Sequence, residues 1–148
     1  MDQQDPTTAE ARDRIARRMI AALPHASALG MTLERIGQGE AEIAMDWHED
    51  FVGDPHSGVI HGGVVSALMD TCCGAAVLAH PQAEAATAAA TLDLRIDYMR
   101  GATPRQRITA RARCYHVTRS VAFVRAHAFD DDAENPVAAA TGAFTLER

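Results

Sequence analysis

Gly58-Val59-Ile60-His61-Gly62-Gly63 followed by Val64-Val65-Ser66-Ala67-Leu68-Met69-Asp70-Thr71-Cys72-Cys73-Gly74-Ala75-Ala76-Val77-Leu78 decides the fold of this chain. From Val64 to Leu78 the side chains are apolar at almost every helical angle. At 3.6 residues per turn, such a helix must be covered by other structure. Asp70 is its one carboxylate. An acid placed among apolar neighbours is costly unless it is paired or its pKa shifts, so its retention points to a chemical task.

The approach to the helix is equally informative. Gly62 and Gly63 let the backbone turn sharply and come close to a ligand. The helix start then offers unpaired N–H groups and the positive end of a dipole. These suit a developing negative charge, such as an ester or thioester oxyanion. Gly62 and Asp70 are separated by about 12 Å along a helix rising 1.5 Å per residue, so one carbonyl cannot reach both in one chain. A twofold dimer with the two helices antiparallel would bring Gly62 of one copy to Asp70 of the other.

Outward from this segment, Thr8 to Leu23 carries Ile15, Met19, Ile20 and Leu23 against Arg14, Arg17 and Arg18, an amphipathic helix with Pro24 as its stop. Residues 29–36 and 40–47 read as strands joined at Gly37-Gln38-Gly39. In the second, Ala41, Ile43, Met45 and Trp47 alternate with Glu40, Glu42, Ala44 and Asp46, the period of a half-buried strand. His48 to His61 reads as loop, and the alanine-rich residues 82–90 as a linker. Leu92, Leu94, Ile96 and Tyr98 alternate with Asp93, Arg95, Asp97 and Met99. Three further strands are expected over 108–114, 121–129 and 137–146. One long buried helix with an antiparallel sheet of five to six strands, plus an N-terminal helix, is an α+β layer arrangement. We expect residues 1–26 as an N-terminal helical extension and residues 27–148 as a single domain.

Composition bounds the partners. The chain has 148 residues and a net charge of −6, which argues against nucleic acid and anionic membranes. No apolar run is long enough to cross a membrane, and the polar start from Met1 to Arg18 is unlike a signal peptide. Cys72, Cys73 and Cys114 make no disulfide framework, so the cytoplasm is the expected compartment.

The segment Gly58-x-x-His61-Gly62-Gly63-x4-Leu68-x-Asp70-x3-Gly74-x-Ala76 resembles the signature of hotdog-fold acyl-CoA thioesterases of the phenylacetate-pathway (PaaI) type. Residues 91–102, Thr91-Leu92-Asp93-Leu94-Arg95-Ile96-Asp97-Tyr98-Met99-Arg100-Gly101-Ala102, resemble that family's next strand. The resemblance spans Leu29 to Leu146. It implies the hotdog fold and hydrolysis of acyl-CoA with no metal and no bound cofactor. It also implies Asp70 as general base or nucleophile and Gly62 as oxyanion donor, with His61 shaping the loop. Thr91 matches a hydroxyl that helps hold the attacking water in some members. Gly63, His56 and Arg100 are the expected substrate contacts, Arg100 through the phosphates of coenzyme A. The implied assembly is a homodimer, with a dimer of dimers as the larger form. Two positions depart from the pattern. Pro55 stands where several relatives carry Asn, with His56 or Asp54 as candidate substitutes, and Gly101 replaces a proline.

Other constellations were weighed. His48, Asp50, Asp54, His56 and His61 cluster in sequence but fit no standard zinc spacing. A Cys73–His61 nucleophilic pair fails because about 18 Å of helix separates them. Arg107, Arg111 and Arg113 read as a solvated strand face. A non-catalytic acyl-CoA binder and a hotdog enoyl-CoA hydratase or dehydratase are the rival functions. The acyl group cannot be read from single residues.

Overall fold

The computed structural model describes residues 6–148; the polar opening at Met1 to Asp5 lies outside them. The chain runs α1 (Pro6–Ala22), α2 (Pro24–Ala28), β1 (Thr32–Gly37), β2 (Glu40–Met45), β3 (Val52–Asp54), β4 (Val59–Ile60), α3 (Gly62–Leu78), β5 (Ala88–Tyr98), β6 (Ile108–Val117), β7 (Val121–Phe129) and β8 (Ala138–Glu147). Single 3-10 turns sit at Glu49–Phe51 and Pro81–Ala83.

Six strands form one antiparallel sheet in the order β1-β2-β6-β7-β8-β5. The alternation read in the sequence sorts its two faces. Ala110, Ala112 and Cys114 of β6 and Ala122, Val124, Ala126 and Ala128 of β7 turn inward and are buried. Small inward side chains leave room for a helix, and α3 fills it. Val65, Leu68, Met69, Cys72, Cys73, Ala76 and Val77 are buried against the sheet. Each large side chain so buried contributes about 1.5–3 kcal/mol of transfer free energy. The Cys72 thiol donates to the carbonyls of Ala41 and Ala110 at 3.4 and 3.3 Å. Burial pushes its pKa up to about 12, so it is a packed core group rather than a nucleophile.

Helix α1 ends at Ala22, just ahead of Pro24 as expected, and a second short helix begins at Pro24 itself. The proline occupies the first turn of α2, where its missing N–H costs nothing. The expected boundary between residues 26 and 27 falls inside α2, whose Ala26 belongs to the core. Helix α1 lies on β1, with Ile20 in the core and the Arg17 guanidinium donating to the carbonyls of Leu33 and Glu34. The segment from His48 to His61, expected as loop, contains a 3-10 turn and the β3–β4 hairpin. Strands of three and two residues are too short to carry a readable alternation.

Strand β5 is bonded to β8 on one side and forms one edge of the sheet. Its pairing skips a residue: Thr91 opposes Phe144, whereas Asp93 opposes Ala143. Leu92 is therefore the extra residue of a bulge, and Thr91 turns to the same face as Leu94, Ile96 and Tyr98. Strict alternation from Leu94 would have pointed Thr91 outward with Asp93.

Asp130 is 5% exposed and is the one charged side chain in the buried class among the described residues. It accepts two bonds of 2.7 Å from Arg100, two from the Thr103 amide and hydroxyl, and one from the Asp132 amide. The Arg100 guanidinium, the leading cause, holds its carboxyl well below the ordinary value of 3.8. This lock ties the end of β5 to the β7–β8 turn. Asp130→Ala, which leaves Arg100 without its counter-charge, should destabilise the fold by about 3–5 kcal/mol at pH 7. A depressed native pKa stabilises above the unfolded value and is lost as pH falls toward the native one. The gap between wild type and Asp130→Ala in urea unfolding should therefore narrow as pH drops below about 4; a constant gap from pH 7 to 3 would contradict this.

Candidate active site

Helix α3 begins where hairpin β3–β4 delivers the chain to it. His61 sits at the N-cap in extended conformation, and its Nδ1 accepts the Gly63 N–H at 2.8 Å. The His61 N–H donates to the Phe51 carbonyl at 2.8 Å, and the His61 carbonyl accepts the Val64 N–H at 3.0 Å. First-turn N–H groups have no partner inside their own helix. Gly63 finds His61, whereas the Gly62 N–H has no acceptor among the described residues. Two glycines fit by contact distance. A Cβ on Gly63 would lie 2.9 Å from His61 Nδ1, and one on Gly53 only 2.8 Å from His61 Cα.

Two turns along α3, Asp70 is half-buried rather than enclosed, because its helical angle points away from the sheet. The Thr91 hydroxyl donates to Asp70 Oδ1 at 2.7 Å. Among the described residues the other oxygen, Oδ2, carries no bond. The β5 bulge is what brings these two residues together.

Asp70 belongs to a stripe of α3 that the sheet leaves uncovered. Gly63, Ala67, Asp70, Gly74 and Leu78 recur at helical spacing and are half-buried or exposed. Beside the start of this stripe lies a groove of about 360 Å³, walled by Leu29, Phe51, Val52, Val64 and Ala67, with His25, Asp50, His61 and Gly63 at its rim.

The remaining expected residues lie elsewhere. His56 lines a second groove of about 410 Å³ with Trp47, Pro55, Pro104 and Arg105. Arg100 is corrected: its Nε and Nη2 donate to the Asn135 carbonyl, Nη1 to the Gly101 carbonyl, and both Nη atoms to Asp130. No N–H of Arg100 is left for a phosphate. The polar cluster in the loop is absorbed by turns. His48 Nδ1 accepts the Asp50 amide, and Asp54 accepts from the His56 amide and the Ser57 hydroxyl. Arg107 pairs with Glu34 and Asp46, Arg111 with Glu42, and Arg113 with Glu40, on the outer sheet face.

Tyr98 was missed by the sequence reading. Its hydroxyl donates to the Gly62 carbonyl at 2.9 Å, and its ring lies against Gly62. Its sequence signals are its place at the end of an alternating strand, which also fits a plain core residue, and its position in the strand that resembles the family pattern.

The fold and sequence of the chain match those of known proteins. Residues 57–137 match the profile of the thioesterase superfamily. A crystal structure of a Pseudomonas aeruginosa protein shares 39% identity, with a TM-score of 0.77, over 89% of this chain and 96% of that one. A variant of the phenylacetic acid degradation protein PaaI from Thermus thermophilus shares 30% identity, with a TM-score of 0.71, over 82% and 97%. The medium/long-chain acyl-CoA thioesterase YigI of Salmonella typhimurium is 26% identical over 95% of this chain and 96% of its own. A long helix on an antiparallel sheet, with a glycine-led helix start, is the hotdog architecture of thioester hydrolases. This chain belongs to the thioesterase superfamily, among its PaaI-type members.

The close approach at Gly53 gives a direct structural test. Gly53→Ala forces a methyl group against the His61 backbone, and overpacking of this kind costs about 1–3 kcal/mol. A lowered thermal midpoint is expected; an unchanged melt would mean that the hairpin does not brace the helix start.

Proposed function

We propose that this protein hydrolyses acyl-CoA thioesters in a site shared by two copies of the chain. The observation that carries the reading is the Thr91-held Asp70 carboxylate on the uncovered stripe of α3, two turns from an unbonded Gly62 N–H. About 12 Å of helix separates them, too far for one carbonyl. An antiparallel pair of α3 helices about a twofold axis puts Asp70 of one copy beside Gly62 of the other. The uncovered stripe and the unpaired β5 edge support that pairing. Leu78, Leu92 and Tyr98, on α3 and β5, are 40–58% exposed in the single chain, and apolar edges of this kind are ordinarily covered.

The chemistry then runs as follows. Thr91 holds Oδ1, leaving Oδ2 of Asp70 to take a proton from water. The hydroxide adds to the thioester carbon, and the oxyanion accepts the Gly62 N–H at the positive end of α3. Collapse breaks the C–S bond, and the thiolate takes the proton back to give the acid and coenzyme A. Direct attack by Asp70, forming a mixed anhydride that water then cleaves, uses the same placement. His61 shapes the loop, and the acyl group lies in the groove walled by Leu29, Phe51, Val52, Val64 and Ala67. His56, in the second groove, is placed to meet the coenzyme A portion. No cofactor enters this scheme. Among the described residues no helix is long and apolar enough to cross a membrane, and we place the activity in the cytoplasm. The hotdog domain acts as the enzymatic unit, with α1 and α2 packed on it through Ile20 and Ala26.

Free-thiol release from short, medium, long and aromatic acyl-CoAs tests the activity. Asp70→Asn should lower the rate by about 10²-fold or more while the protein stays folded; retained activity would end the assignment. Thr91→Val should lose less, about 10-fold, because only the orientation of Asp70 is disturbed. Light scattering tests the assembly separately: a dimer or a dimer of dimers is expected, and an active monomer would refute the shared site.

A further inference from the structure

The start of α3 is held by more bonds than a helix start needs. The peptide plane between Gly62 and Gly63 is anchored at both ends. Its carbonyl accepts the Tyr98 hydroxyl at 2.9 Å, and its N–H donates to His61 Nδ1 at 2.8 Å. The preceding plane, between His61 and Gly62, is anchored by the Val64 N–H on the His61 carbonyl at 3.0 Å. Glycine by itself rotates almost freely about its backbone bonds. The Gly62 N–H lies in the His61–Gly62 plane, and anchoring the next plane as well leaves the Gly62 backbone bonds little room to turn it. His61 and Val64 are local neighbours. Tyr98 reaches in from 36 residues away, from the end of β5, and its hydroxyl has no other partner among the described residues. Within the single chain the ring is 51% exposed, and its hydroxyl bond to Gly62 is the contact that ties it to the helix start.

We propose that Tyr98 is a positioning residue for the oxyanion donor: by pinning the Gly62–Gly63 peptide it restricts rotation about the Gly62 backbone bonds, so that the adjoining His61–Gly62 peptide, which carries the Gly62 N–H, stays aimed at the thioester oxygen. The proposal rests on the thioesterase reading of the site. Through β5 the same strand then serves both halves of the chemistry, Thr91 holding the carboxylate and Tyr98 holding the donor. A preorganised donor stabilises charge that exists only in the transition state, so its misdirection slows turnover without weakening substrate binding.

The test is Tyr98→Phe in the full-length chain, which keeps the ring and removes the hydroxyl. Circular dichroism and thermal melting establish that it folds. The expected result is a kcat lower by about 10-fold, with KM and the affinity for an alkyl-CoA thioether, which has no carbonyl, both unchanged. A kcat equal to that of wild type would overturn the proposal. So would a loss confined to KM and thioether affinity, which would make Tyr98 a binding contact only. A second readout needs no turnover: amide exchange at Gly63 should be faster in the variant, and equal exchange would overturn the proposal even if the wild-type chain cleaved no thioester. Absence of wild-type turnover on every acyl-CoA would overturn the activity reading instead, which keeps the two failures distinguishable.

Discussion

Helix α3 is too apolar to stand in water, and the sheet covers only one of its faces. Nearly every other feature of the chain answers to that constraint. Leu68, Met69, Cys72, Cys73 and Ala76 need a concave apolar surface, and strands β6 and β7 supply one by turning alanines inward. Bulkier inward residues would push α3 away from the sheet. The outward faces of the same strands are free to carry Arg111, Arg113 and Arg125, with Arg111 and Arg125 lying over the rings of Phe129 and Tyr115. The other face of α3, from Gly63 to Leu78, stays half-buried or exposed and carries Asp70.

Strand β5 converts this packing problem into a site. It flanks the open stripe, is bonded on one side only, and touches α3 at two places. The bulge at Leu92 rotates Thr91 onto the helix-facing side, at the expense of one regular ladder position. At the far end Tyr98 meets the helix start. Beyond it Arg100 is locked to Asp130, which fixes where β5 ends. Arg100, whose bidentate chemistry would suit a phosphate, is here engaged in holding the strand that carries Thr91 and Tyr98. A buried carboxylate takes every donor it can reach, and Arg100 is the donor within reach.

The helix start shows how local and distant interactions divide the work. His61 as N-cap and the two glycines after it are a sequence-local device, built from residues in contact along the chain. What surrounds that device is not local. Gly53 of the hairpin lies against His61, and Phe51 accepts its N–H. Trp47 donates to the Gly58 carbonyl at 3.1 Å and so steadies the same loop.

The sequence alone determined the elements with strong periodic patterns and the residues that one element presents together. α3, the alternation of β2, β6 and β7, and the constellation of His61, Gly62, Gly63 and Asp70 are all of this kind, because helical and strand periods are properties of the chain itself. It also implied, from rise per residue, that Gly62 and Asp70 are too far apart to serve one substrate within one chain. Tertiary structure decided the rest. Pro24 marks the stop of α1 in the sequence, but that it also opens α2 depends on Ala26 reaching the core. Strands as short as β3 and β4 leave no period to find. The facing of Thr91 depends on a bulge set by pairing with β8, and the partners of Asp70, Gly62 and Arg100 lie 21, 36 and 30 residues away. Contacts at such separations are fixed by which strands pair and in what register, and one chain's local pattern is compatible with several registers until the core closes.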